Sequence, residues 1–147
     1  MLPSLHGYVP PPSDALVDHA RALYERRGEA VIVPLVDVST DEWQPVEKGC
    51  HENCEVWCER HQEYELVRGW IYVPLPSLAY CRFLAHTVVR QPDGHLIDIT
   101  PRGVILEPTP YRFLPSIVSR AEYEALVLDL YEATGTADLD WRHGAPS

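Results

Sequence analysis

Apolar positions follow two rhythms along this chain, and the changes between them outline its elements. From Asp14 to Arg27 the residues Leu16, Ala20 and Leu23 fall at helical spacing, with Ser13 to cap the start and Gly28 to close the end. Residues 1–13 hold Pro3, Pro10, Pro11 and Pro12 and are expected to form an extended arm. Ala30 to Val38 is rich in β-branched residues and predicts a strand, which Pro34 assigns to an edge or a bulge. A polar loop over 39–49 leads to Cys50. From Cys50 to Glu63 the residues Cys54, Trp57, Cys58 and His61 recur at three- and four-residue steps, which predicts a second helix.

Alternation then takes over. Strands are expected at Tyr64–Val73, Arg82–Arg90 and His95–Thr100, the last two joined as a hairpin through Gln91-Pro92-Asp93-Gly94. Residues 101–118 contain Pro101, Pro108, Pro110 and Pro115 and predict irregular loop with short extended pieces. Ser119 caps a helix over Arg120–Ala133, ended by Gly135, and residues 136–147 are expected to be a loosely held polar tail. The order of elements predicts one α+β domain over 14–135, with a mainly antiparallel sheet.

Composition changes this picture little. The chain has 147 residues, about one domain's worth, with 46% hydrophobic and 23% charged residues. Its formal net charge of −10 makes nucleic acid and membrane poor partners. Without a long apolar run or a basic leader, a cytoplasmic location is expected. In that setting four cysteines do not read as a disulfide framework. Three of them crowd between Cys50 and Cys58, and that cluster asks for chemistry.

A nucleophilic thiol needs a lowered pKa, a base, and a group that orients the base. Cys50 stands where a polar loop becomes a helix, behind Gly49, so helix N–H groups favour its thiolate and could hold an oxyanion. His86 lies mid-strand, on one face with Leu84 and Val88, where a buried imidazole needs a partner. Asp98 interrupts the apolar run Leu96-Ile97-Asp98-Ile99 on the following strand. A hairpin loop of three or five residues puts Asp98 on the His86 face, opposite or diagonal to it, whereas a four-residue loop separates them. As a set, the three residues read as a thiol nucleophile with a catalytic triad.

Cysteine at a helix start, followed by histidine and aspartate on consecutive hairpin strands, resembles the papain-like superfamily. Its transglutaminase-like and arylamine N-acetyltransferase-like branches are the most similar, over about residues 44–101. More narrowly, GCHEN at 49–53, RGW at 68–70 and AHTVVRQPDGHLIDITP at 85–101 look like a group of small uncharacterised bacterial and phage proteins. The resemblance implies a papain-like or transglutaminase-like core, with the Cys-bearing helix packed on the sheet. It also implies a cysteine-dependent hydrolase or acyltransferase acting on a peptide, a protein, or a small amide or thioester. Cys50 would be the nucleophile, His86 the general base and acid, and Asp98 the residue fixing the imidazole. Gln44 stands at the spacing of the oxyanion-hole glutamine of papain-type peptidases, with His51 and Asn53 as support for the same region.

Each residue also has a plainer reading. Cys50 can be a small inert residue, His86 a satisfied core histidine, and Asp98 an acceptor for backbone N–H groups. The alternative to an enzyme is a non-enzymatic binding module of the same fold. Cys50, Cys54, Cys58 and His61 share a helical stripe of ligands that suit Zn²⁺, although no second Cys or His pair accompanies them. Cys54 and Cys58 read better as core filling, so no cofactor is expected. Trp70 and Tyr72 are candidates to line a substrate cleft. Arg82 and Arg90 are edge charges or receivers of a substrate carboxylate.

Overall fold

The computed structural model describes residues 7–101 and 111–143. The described residues contain three α-helices, α1 (Asp14–Glu25), α2 (Cys50–Arg60) and α3 (Arg120–Thr134). Six strands are present: β1 (Val31–Val33), β2 (Glu65–Leu75), β3 (Tyr80–Arg90), β4 (Leu96–Ile97), β5 (Tyr111–Pro115) and β6 (Asp138–Arg142). They form one sheet with antiparallel pairing, in the order β1-β5-β2-β3-β4, and β6 pairs with β3 beside it. The fold is α+β. Among the described residues no helix is long and apolar enough to cross a membrane.

The sheet curls until its ends meet. Asp98 N donates to Pro34 O at 2.9 Å and Val36 N donates to Asp98 O at 2.8 Å, which joins the chain just after β4 to the chain just after β1. Pro34 ends β1 after three residues, yet its carbonyl still serves this closure. Val33, Val88, Leu96 and Phe113 fill the inner face. The outer face carries α1 and α3 on Trp70, Phe83 and Leu114, and α2 on Val89, Ile97 and Ile99. Such a closed antiparallel arrangement leaves little unpaired strand edge.

Helix starts follow two designs. Ser13 and Ser119 accept from Leu16 N and Glu122 N and cap α1 and α3, whereas α2 begins behind Gly49 with no side-chain cap. The β3–β4 turn is stabilised by Gln91 N donating to His95 O, and Gly94 adopts φ 93°, a left-handed value that favours glycine. Gly69 is fixed by close approach: a Cβ there would overlap Leu114 O and lie 2.6 Å from Phe113 Cζ.

Two expectations need correction. The segment after Thr136 is not a loose tail, because residues 138–142 form β6, with Leu139 and Asp140 buried. Alternating Leu139 and Trp141 supply the apolar side of that short strand. Arg82 is no edge charge: it is fully buried and bonds Asp140 at 2.7 and 3.0 Å and Gly7 O at 3.1 Å. Val9 N also donates to Asp140, which ties the extended arm at residues 7–9 to β3 and β6.

Candidate active site

The turn length decides where His86 and Asp98 meet. Arg90 pairs with Leu96 and Val89 with Ile97, so five residues, 91–95, form the loop. Continued by this register, Asp98 lies diagonal to His86 on one face. His86 Nε2 and Asp98 Oδ2 are 2.9 Å apart, and both residues are buried. Because the closure bonds use the Asp98 backbone, the carboxylate hangs from one of the most constrained points of the sheet.

Asp98 has further partners. Tyr111 donates its hydroxyl to Oδ2 at 2.6 Å, and Thr100 N donates to Oδ1 at 2.9 Å. The Tyr111 ring also meets the His86 ring edge to face at 5.6 Å. Burial alone would push this carboxyl up, but the bond and charge of His86, with the donors Tyr111 and Thr100, hold it below the usual range.

Cys50 closes the row. On its edge away from β2, β3 pairs with β6 over 80–84 and with β4 at 89–90, which leaves a gap between them. The start of α2 occupies that gap, and Cys54 Sγ lies 3.5 Å from Thr87 O. One turn earlier, Cys50 comes close enough to His86 for each group to shift the other's pKa. Since Asp98 holds Nε2, Nδ1 is the nitrogen left for the sulfur. Burial raises the Cys50 thiol, but the hydrogen bond and charge of His86 outweigh it and lower its pKa. Burial lowers the His86 imidazole, but the bonds to Asp98 and Cys50 outweigh that and raise it to about 9. The two shifts work in the same sense and favour a thiolate facing an imidazolium.

Asn53 braces the start of α2. It is buried, accepts from Val46 N at 2.9 Å, and donates to Val46 O at 2.8 Å and to Thr100 Oγ1 at 3.1 Å. The loop before Cys50 is thereby linked through Thr100 to the carboxylate of Asp98. His51 points to the surface and pairs with Glu55 at 2.8 Å. Gln44 is exposed on the loop before the helix. Trp70 is fully buried among core residues, so it does not wall a cleft. Tyr72 stacks on Phe83 at 5.5 Å beside the core under α1, away from the thiol.

The zinc stripe does not converge. Among the described residues no group of three or more Cys, His, Asp or Glu is placed to hold a metal ion. Cys54 is buried against Thr87, with its thiol pushed up by burial, and the His61 ring stacks on Trp57 at 3.7 Å. A cavity of about 560 Å³ opens elsewhere, beside the β3–β4 turn, among Arg26, Glu29, Ile32, Arg90 and His95. None of Cys50, His86 and Asp98 lines it. Bond geometry is therefore the better guide to chemistry here than concavity.

Tyr111 and Thr100 are the site residues that sequence reasoning missed. Thr100 had a signal, since it shares the DITP turn with Asp98. Tyr111 follows a proline-rich stretch without periodicity, and nothing in that pattern points it at the hairpin. Comparison with protein families, with curated proteins and with solved structures finds no match to this chain.

Proposed function

We propose that the protein is a cysteine-dependent hydrolase or acyltransferase of papain-like or transglutaminase-like architecture. The observation that carries this reading is the row Cys50–His86–Asp98, in which a buried carboxylate holds the imidazole at 2.9 Å and the imidazole in turn lowers the thiol pKa. A structural cysteine buried by packing alone has a raised pKa, as Cys81 does at about 12. Cys50 departs from that pattern in the direction a nucleophile requires.

The chemistry runs in two halves. The Cys50 thiolate attacks the carbonyl carbon of an amide or thioester, and the carbonyl electron pair moves to oxygen. Uncapped N–H groups at the start of α2 are oriented to receive that oxyanion. His86 gives its proton to the leaving amine or thiol as the bond to carbon breaks, which leaves an acyl group on sulfur. His86 then takes a proton from water or an acceptor amine, whose attack releases the acyl product and restores the thiolate. Asp98 stabilises the imidazolium throughout, and Tyr111 and Thr100 hold Asp98.

Incubation with a p-nitrophenyl ester, followed by intact-mass analysis, tests the reading. An acyl adduct on Cys50 that forms and then turns over, and is lost in Cys50→Ala, is the expected result. Acylation at the rate of a free thiol, without turnover, contradicts it.

A further inference from the structure

Three arginines that the structure describes in this acidic chain have close acidic partners. Arg26 meets Glu29 at 2.9 Å, Arg82 meets Asp140 at 2.7 Å, and Arg120 meets Glu124 at 2.9 Å. Arg68 on β2 differs. Its side chain is only 14% exposed, its Nε is closed off from solvent with no hydrogen-bond partner, and its nearest acid, Glu124, lies 3.9 Å away. Glu124 is half exposed and already bonded to Arg120. A guanidinium nitrogen buried beside so distant a partner is costly, and an anion brought by a ligand would offset that cost.

Its position connects it to the thiol. Arg68 lies directly across from Thr87 in the β2–β3 register, so the two side chains share the outer face of the sheet. That face is where α2 packs, with Cys54 Sγ 3.5 Å from Thr87 O and Cys50 one turn nearer the helix start. On the other side, Tyr123 of α3 donates to Gly69 O, next in the chain to Arg68, at 2.8 Å. Arg68 therefore lies on the outer face between α2 and α3, and the charges of both Arg68 and Cys50 act on the Tyr123 hydroxyl.

We propose that Arg68 receives a carboxylate of the substrate, so that Cys50 acts on acyl groups carrying an acid close to the reacting carbonyl. The inference rests on the reading of Cys50 as the nucleophile. Guanidinium suits the task because its planar fork bonds a carboxylate at two points.

Iodoacetate and iodoacetamide test it. Both undergo one step, in which the thiolate forms an S–C bond and iodide leaves with the C–I electron pair. They differ in carrying a carboxylate or a neutral amide. The ratio of their rates at Cys50 cancels changes in the thiolate's own reactivity. Arg68→Gln is expected to lower the iodoacetate-to-iodoacetamide ratio about tenfold, the factor that one charge-assisted contact of about 1.4 kcal/mol represents. Arg68→Lys should retain part of the preference. In the unmodified protein, at constant ionic strength, glutarate should slow iodoacetamide labelling of Cys50 and glutaramide should not. An unchanged ratio in Arg68→Gln, or equal effects of glutarate and glutaramide, overturns the carboxylate site while fast labelling leaves the thiolate reading standing. Labelling of the unmodified protein at an ordinary thiol's rate by both reagents overturns the thiolate reading and this inference with it.

Discussion

Tyr111 and His86 share one oxygen of Asp98: the phenol hydroxyl donates to Oδ2 at 2.6 Å, and the imidazole Nε2 meets the same atom at 2.9 Å. The two donors approach from different strands, β5 and β3, so the carboxylate fixes the imidazole and ties the sheet across its interior. Tyr111→Phe removes the hydroxyl and leaves the ring beside His86. A hydrogen bond to a buried charge contributes about 1.5–3 kcal/mol, and urea denaturation at neutral pH should show a loss in that range. A loss below about 0.5 kcal/mol, the level of an ordinary surface change, would mean that the hydroxyl does not serve the carboxylate.

Asn53 makes three hydrogen bonds from a buried position and joins the Cys50 loop to Thr100. Asn53→Ala leaves Val46 N and O without these partners. Val46 O keeps Gly49 N as a donor at 3.1 Å, so one unpaired group remains and denaturation should show a loss of about 1–3 kcal/mol. Labelling of Cys50 should slow as well, because the helix start that presents the sulfur is no longer held. Full labelling speed in a destabilised Asn53→Ala would confine Asn53 to folding.

Gly69 tests the packing under the site. A methyl group there meets Leu114 O and the Phe113 ring, and the Leu114 clash is with backbone. Gly69→Ala should destabilise the protein by more than about 3 kcal/mol, as overpacking against a rigid neighbour does. Gly7→Ala, with nothing within 4 Å of the added Cβ, is the control and should be nearly neutral. A thermal melt of each variant checks the contrast.

The ion pair also shapes stability against pH. The folded His86 value is raised from 6.5 to about 9, so its stabilisation is complete below 6.5 and is lost as pH rises through about 9. The folded Cys50 value is lowered from 9.0, so its stabilisation is complete above 9.0 and is lost as pH falls. Folding thus moves the shared proton toward His86 and away from the thiol, so the two contributions slope in opposite directions. Cys50→Ala removes the opposing thiol contribution and leaves Asp98 to hold the imidazole proton, so its stability should fall more steeply with rising pH above 6.5 than the parent's does. Urea midpoints across that range measure the difference, and equal slopes would argue against a charged pair.

Much of the site was legible because two local rules converge on it. Alternation assigns His86 a face, and the turn at 91–95 decides whether Asp98 shares that face; both depend on neighbours in sequence. The start of α2 at Cys50 was legible from helical spacing after a polar loop. What stayed hidden depends on contacts between distant segments. Tyr111 reaches Asp98 only because β5 lies between β1 and β2, and residues 102–110, which fall outside the described structure, gave the preceding stretch no period to read. Closure of the sheet rests on two backbone bonds at Asp98, and backbone bonds leave no residue signature. Residues 138–142 looked like a tail because five residues with two aspartates, Asp138 and Asp140, are too short and polar to show alternation, and Asp140 is buried only because Arg82 is opposite. Trp70 looked free to line a cleft, since one face of a strand cannot report which helix covers it.

The most direct test of the central claim is the rate of Cys50 alkylation by iodoacetamide across pH, in the protein and in His86→Ala. A thiolate held by an imidazolium forms below the ordinary thiol value of 9.0, so labelling should reach its plateau at lower pH than a free thiol does. In His86→Ala that plateau should disappear and the rate should climb only near the value of a free thiol. A single rise near or above 9.0 in the unmodified protein, unchanged by His86→Ala, would contradict the ion pair and with it the proposed chemistry.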